Sequence, residues 1–227
     1  MTAAAFFDVD RTLLRRSSTH ALAGSFRSAG IIGVRQLVHA GLWELVFVTR
    51  GLSARTIARR AERAMLLLDG FPVDDLRRLV ADALEPVLKP LLFSEPLELV
   101  ERHRARGERV YVVTGALQEV ADALAADLGL DGALGSICEV DGGVYTGRTL
   151  AGLYGEGKAD AVRELAAREG IDLAASTAYS DSAADLPFLE AVGKPVAVNP
   201  DRRLRRIARE RAWPVLEFRE PAQRRAA

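Results

Sequence analysis

The stretch Phe6-Phe7-Asp8-Val9-Asp10-Arg11-Thr12 sets two carboxylates two residues apart at the end of an apolar run. Side chains at i and i+2 of an extended chain point the same way, so Asp8 and Asp10 face one small volume. Like charges that close stay ionised only at a cost unless a cation neutralises them. A hard divalent ion with oxygen ligands, such as Mg²⁺, suits that role. Three other stretches carry groups able to complete such a site. In Val112-Val113-Thr114-Gly115-Ala116 an apolar run ends in a hydroxyl and a glycine ahead of helical spacing, so Thr114 and the N–H groups of Gly115 and Ala116 are expected at a helix start, able to hold an anion. Lys158 opens a helix after the glycine-rich Leu153-Tyr154-Gly155-Glu156-Gly157. Tyr179-Ser180-Asp181 ends a further short apolar run in an acid, with Asp185 four residues on.

Each of these has a plainer reading. Asp8 and Asp10 could form an exposed turn, Thr114 could be an ordinary N-cap, Lys158 a solvated helix-start residue, Asp181 a loop acid and Asp185 an N-cap. The 31 basic residues are all arginine except Lys89, Lys158 and Lys194, which makes a lysine at this position stand out.

The elements that must position these groups are readable in outline. Ala3 to Phe7 is an apolar run without helical spacing and reads as a buried strand. From Ser17 to about Lys89 the spacing is helical throughout: Leu37 to Val48, then Ile57 to Leu68 behind Ser53 as N-cap, then Leu76 to Leu84. Pro86 and Pro90 close that region. Ser94, Pro96 and Gly107 mark a helix start, first turn and stop. Val110 to Val113 reads as a strand, followed by a helix to about Leu128. Glu139 to Thr146 alternates around Asp141-Gly142-Gly143, a hairpin signal. Lys158 to Arg168 is a helix stopped by Gly170, and Thr177 to Ser180 and Pro195 to Val198 read as short strands. Strand alternating with helix predicts an α/β fold, a Rossmann-like parallel sheet with helices on both faces. The helical stretch after the first strand reads as an insertion, giving a core from residues 1–15 and 92–227 and a helical module from residues 16–91. In such a sheet ligands bind at the carboxyl ends of strands, where Asp8, Thr114 and Asp181 are expected.

A chain of 227 residues with 49% hydrophobic content suits one sizeable domain or a domain with an inserted module. A formal net charge of +0 recommends neither nucleic acid nor an anionic membrane as partner. The single cysteine, Cys138, excludes an internal disulfide framework and fits a reducing compartment. The first apolar run is too short for a secretory signal, and Leu37 to Val48 is too short to span a bilayer. A cytoplasmic protein without stable membrane insertion is expected.

Strand-end acid pair, strand-end hydroxyl, lysine and a second strand-end acid pair, in that order, resemble the haloacid dehalogenase superfamily of phosphatases. Asp8-Val9-Asp10-Arg11-Thr12 matches its first motif, Thr114 its second, Lys158 its third, and Asp181 with Asp185 its fourth. The helical insertion is similar to that family's type I cap, and with the hairpin around Asp141-Gly142 it points to the branch containing phosphoserine phosphatase. The resemblance implies a Mg²⁺-dependent phosphomonoester hydrolase. Asp8 would be the nucleophile and Asp10 the acid and base. Asp8, the carbonyl of Asp10 and Asp181 would hold the metal. Lys158 would stabilise the phosphoryl oxygens, Thr114 and Gly115 would bind another, and Asp185 would orient Lys158 or metal-bound water. Arg11 stands where the family often has glycine, and its side chain either meets the substrate at the site entrance or points to solvent.

The cap sets the substrate. Ser17, Ser18, Thr19 and His20 are polar and close to the nucleophile in sequence, so Ser17 and His20 are candidate leaving-group contacts, although His20 could be structural. Relatives that act on phosphoserine carry a glutamate near the position of Ser17. Arg63 corresponds to an arginine that reads a substrate carboxylate in those enzymes. A small metabolite phosphate is the expected substrate. A lipid phosphate is the alternative, drawn from the apolar segment around Trp43 and Phe47 and the arginines 202, 203, 205, 206, 209 and 211, which otherwise read as core packing and a solvated helix face. A phosphate-ester binding or regulatory protein with a weak site is the alternative of another class. The sequence leaves the oligomeric state open.

Overall fold

The computed structural model describes residues 2–33 and 54–222. Seven strands form one sheet in the order β4-β3-β2-β1-β5-β6-β7. They are β1 (Ala4–Phe7), β2 (Arg109–Leu117), β3 (Gly132–Asp141), β4 (Val144–Ala151), β5 (Thr177–Ser180), β6 (Lys194–Val198) and β7 (Val215–Leu216). Every neighbouring pair is parallel except β3 and β4. The mostly parallel sheet, flanked by helices, is the α/β Rossmann-like fold that the alternation predicts.

β1 is central, with Phe7 opposite Val112 on one side and Tyr179 on the other. All four of its residues are buried because both faces are covered. Ala5 and Phe7 point into a layer with Leu76, Val80, Val100, Val120 and Leu124. Ala4 and Phe6 point into the opposite layer with Val162, Leu165, Phe188, Leu189 and Leu204. The first layer draws on helices α4 (Val73–Ala83), α5 (Ser94–Ala105) and α6 (Gln118–Asp127). The second draws on α7 (Glu156–Glu169), α8 (Leu186–Glu190) and α9 (Arg202–Glu210).

Between β1 and α5 the described residues contain helices α1 (Ser18–Ala21), α2 (Ala23–Ser28), α3 (Ala54–Met65) and α4, and no strand longer than an isolated bridge. Past Ala83 the helical stripe widens into a π turn over Leu84–Leu88, where Pro86 withholds a backbone N–H. This segment is stitched to the hairpin of β3 and β4: Gly70 N–H donates to the Tyr145 carbonyl at 2.8 Å, Tyr145 N–H to Phe71 at 3.0 Å, and Val73 N–H to Gly143 at 3.1 Å. Trp43, Phe47, Ser53 and the stripe Leu37 to Val48 lie outside the described residues.

Two elements differ from the sequence reading. β2 runs on through Thr114, Gly115 and Ala116 to Leu117, so α6 starts at Gln118. The pairing with β3 slips there, from Val113 opposite Leu134 to Leu117 opposite Ser136, so Thr114 to Ala116 bulge out of the ladder and are not the first turn of a helix. β3 is longer than the hairpin signal because its first half pairs with β2 and its second half with β4. β7, of two residues, is too short to leave a pattern. α9 buries Leu204, Ile207 and Ala208 and exposes Arg202, Arg203, Arg206 and Arg209, a solvated face. Cys138 is buried. Among the described residues no helix is long and apolar enough to cross a membrane.

Candidate active site

Asp8 is the first residue past β1, and its N–H donates to the Tyr179 carbonyl at 3.0 Å. Sheet hydrogen bonding therefore fixes it beside β5, whose next residue is Asp181. The ammonium of Lys158, from α7, reaches Asp8 from one side of the sheet. α7 begins after Gly155, whose backbone (φ 56, ψ −119) is open to glycine and costly to other residues. That entry angle brings Lys158, in the first turns of α7, under the strand ends with 1% of its surface exposed. Its Nζ donates to Asp8 Oδ1 at 2.6 Å and to Asp185 Oδ2 at 2.7 Å. Ser180 Oγ donates to the same Asp185 oxygen at 2.8 Å. Asp185 thus accepts from the lysine and a serine, and although it precedes α8 its side chain makes no cap bond. The N-cap alternative for Asp185 is set aside, and Ser180 gains a contact that the sequence did not suggest.

Burial dominates the electrostatics. The Asp8 carboxyl is pushed up to about 7 by burial, with Asp185 and Asp10 adding to the shift and Lys158 opposing it. Burial also disfavours the Lys158 ammonium, but the Asp185 and Asp8 carboxylates outweigh it and hold the lysine above its ordinary range. Burial, and next the charge of Asp8, push the Asp181 carboxyl well above the usual carboxylate range, with Arg11 opposing.

Asp10 is partly exposed, and its Oδ1 accepts the Ser18 N–H at 2.7 Å, so the start of α1 is tied to it. Arg11 follows in left-handed backbone (φ 64), which explains why glycine suits this position. Its Nε lies 3.5 Å from Asp181 Oδ2, so the side chain turns toward the strand ends and not away from them. Thr114 is buried, and its Oγ1 accepts the Ala116 N–H at 3.1 Å. The expected anion-holding role for the Ala116 N–H therefore falls away, because the bulge uses that donor internally. The Thr114 hydroxyl keeps its own proton to donate. Ser17 occupies the N-cap position of α1 without a side-chain cap, and His20 lies within that helix, part-buried. Arg63 is exposed in the last turn of α3 and makes no hydrogen bond or ion pair to this cluster. The structure thus gathers Asp8, Asp10, Arg11, Lys158, Asp181 and Asp185 and leaves Arg63 outside the contacts.

Tyr154 is the group that sequence reasoning missed. Its hydroxyl donates to the Gly115 carbonyl, which also accepts from Ser136 Oγ at 2.9 Å. A Cβ on Gly115 would lie 2.4 Å from Tyr154 Cε1, so only glycine lets the ring lie against the bulge. Tyr154 sits in the glycine-rich stretch before Lys158, but nothing in that stretch signals a partner 39 residues away.

The donor set fits Mg²⁺. Asp181 Oδ2 is buried and accepts no hydrogen bond, and after burial itself the charge of Asp8 adds to the cost of ionising Asp181. Among the described residues no group of three or more His, Cys, Asp or Glu side chains is arranged to cage a metal. A site with so few protein ligands leaves positions for water and phosphate, the coordination Mg²⁺ prefers over an all-protein cage.

Residues 5–190 match the family of haloacid dehalogenase-like hydrolases. The inhibition of morphological differentiation protein of Streptomyces azureus is 39% identical over 221 residues, which cover 97% of this chain and 80% of that one. A phosphoserine phosphatase of Mycobacterium tuberculosis is 38% identical over 221 residues, covering 96% of this chain and 72% of that one. The solved structure of a protein of unknown function from Bordetella pertussis Tohama I superimposes with a TM-score of 0.79 at 30% identity, covering 95% of this chain and 99% of that one.

Proposed function

The chain belongs to the haloacid dehalogenase-like hydrolases, and from that premise we propose that it hydrolyses a small phosphomonoester through a phosphorylated Asp8. The observation that carries this reading is the buried ammonium of Lys158, 2.6 Å from Asp8 at the end of β1 and 2.7 Å from Asp185 in the turn that follows β5. A buried lysine shared by two carboxylates is a fixed positive charge beside a nucleophile, the arrangement that phosphoryl transfer needs.

In the first step an Asp8 carboxylate oxygen attacks phosphorus, the bond to the leaving oxygen breaks, and Asp10 delivers a proton to that oxygen so that an alcohol departs. In the second, Asp10 takes a proton from water as the water oxygen attacks the phosphorus of the acyl phosphate. The bond to Asp8 breaks, which regenerates the carboxylate and frees inorganic phosphate. Lys158 attracts the phosphoryl oxygens as a point charge throughout. The Thr114 hydroxyl donates to another of them, with Gly115 at its side. Asp185 holds Lys158 in place. Mg²⁺, held by Asp8, the Asp10 carbonyl and Asp181, would supply charge neutralisation between nucleophile and phosphate.

We take residues 16–91 as the cap over a core of residues 1–15 and 92–227. The Ser18 N–H on Asp10 links the first cap helix to the acid-base group. Ser17 and His20, on that helix, are the proposed leaving-group contacts, and Arg63 is the more distant one. The relative named as a phosphoserine phosphatase makes phosphoserine the first compound to try. Ser17, where a glutamate would meet its ammonium group, argues for a different leaving group. The lipid alternative draws on Trp43 and Phe47, outside the described residues, and no observation favours it.

The test is phosphate release from p-nitrophenyl phosphate and from amino-acid, sugar and polyol phosphates, with Mg²⁺ and with EDTA. Mg²⁺-dependent release from at least one of them is expected. Its absence from all would leave a binding or regulatory protein as the better reading.

A further inference from the structure

We propose that Arg11 is the resident counter-ion of Asp181: it weakens divalent-cation binding by holding that carboxylate in the cation-free chain, and it yields the carboxylate when a cation arrives. The inference rests on the cation site proposed above. Its basis is local. Asp181 carries a buried oxygen, Oδ2, that accepts no hydrogen bond. The nearby ammonium of Lys158 is committed to Asp8 and Asp185. The positive group beside Asp181 Oδ2 is the Arg11 guanidinium, with Nε at 3.5 Å, a charge contact too loose to be a hydrogen bond.

Two features make this pairing releasable. The Arg11 side chain keeps 26% of its surface exposed, so it has an outward path, whereas that of Asp181 keeps 6%. The contact is also held by backbone in an unfavourable region, because Arg11 has a left-handed φ of 64. A large cationic residue is thus present where glycine would cost the loop less. The sign of its effect follows from Coulomb's law: a fixed positive charge beside a carboxylate opposes a second cation at the same carboxylate, whichever oxygen faces it. A residue that merely oriented Asp181 as a ligand would act in the opposite direction, since ligand-supporting partners raise metal affinity.

Arg11→Gly and Arg11→Asn both suit left-handed backbone, so both variants should fold; the pair separates loss of charge from gain of backbone freedom. Mn²⁺ binding to the full chain without substrate is followed by the electron paramagnetic resonance of the free ion, and Mg²⁺ binding by calorimetry, with Asp181→Asn as the control that removes the site. Both Arg11 variants are expected to bind Mn²⁺ at least threefold more tightly than the unmodified chain, and cation binding by the variants alone would support the proposal more strongly still. Equal or weaker binding by both variants, with binding by the unmodified chain intact, overturns the role of Arg11 and leaves the cation site standing. No binding by any form overturns both.

Discussion

The buried trio of Asp8, Lys158 and Asp185 decides what each single substitution should do. Asp8→Asn keeps the side chain's shape but removes the oxygen anion proposed as nucleophile, so turnover should fall by about 10³-fold or more while the fold survives. Steady-state phosphate release together with circular dichroism checks both halves, and retained activity would remove Asp8 as nucleophile. Lys158→Met is expected to act twice. It removes the charge proposed to face the phosphoryl group, and it leaves the Asp8 and Asp185 carboxyls buried without their shared cation. Breaking a buried ion pair by deleting one partner costs about 3–5 kcal/mol, so urea unfolding at neutral pH should show a loss of that order beside the loss of activity. A variant with unchanged stability would mean that the carboxyls find another partner. The acids and the lysine were legible in the sequence because each stands at a strand end or helix start that short-range spacing reveals. The Ser180 hydroxyl on Asp185 was not, since it depends on how the four residues between them turn.

At the scale of elements, the β2 bulge and the stretch leading into α7 form one unit. Tyr154 packs against Gly115, with its hydroxyl on the Gly115 carbonyl, and so fastens the bulge that presents Thr114 to the segment that presents Lys158. Gly115→Ala would set a Cβ 2.4 Å from a ring carbon of Tyr154. Overpacking of this kind costs about 1–3 kcal/mol. The cost should shrink in a Tyr154→Ala background, because the ring is what the methyl group meets. A double-mutant cycle by urea denaturation measures that coupling, and equal costs in the two backgrounds would show that the ring is not the obstacle. Sequence periodicity had β2 ending near Val113 because the β-branched run stops there. The strand continues because β3 offers partners as far as Ser136, which no local pattern announces.

Across the whole molecule, the strands that deliver Asp8 and Asp181 are locked together by an aromatic and histidine cluster on one face of the sheet. Phe7 and Tyr179 stack at 4.4 Å, and His103 of α5 bonds the Tyr179 hydroxyl at 2.8 Å through Nε2 and Glu108 through Nδ1. Burial holds the His103 imidazole below its ordinary range, aided by Arg106 and Lys194 and opposed by Glu108. A group whose folded pKa is depressed contributes stability above its unfolded pKa, and that contribution is lost as pH falls. Stability measured in urea should therefore decline as pH drops from about 7 toward 5, through the ordinary histidine range. His103→Gln should flatten that decline, and an unchanged slope would assign it to other groups.

The amino-acid sequence by itself determined the kind of chemistry and the kind of scaffold. Alternating apolar runs and helical stripes specify a parallel sheet, and the acids, hydroxyl and lysine fall at its carboxyl edge in an order whose resemblance to the family implies phosphoryl transfer. Only the tertiary structure decided which of those groups touch. Lys158 and Asp8 are 150 positions apart, and their pairing follows from the order of strands in the sheet and the entry angle of α7. The same holds for Arg11 beside Asp181 and Tyr154 on Gly115. Local spacing fixes which way a side chain points along its own element, whereas contacts between elements depend on how the layers pack, and that information is spread over the whole core.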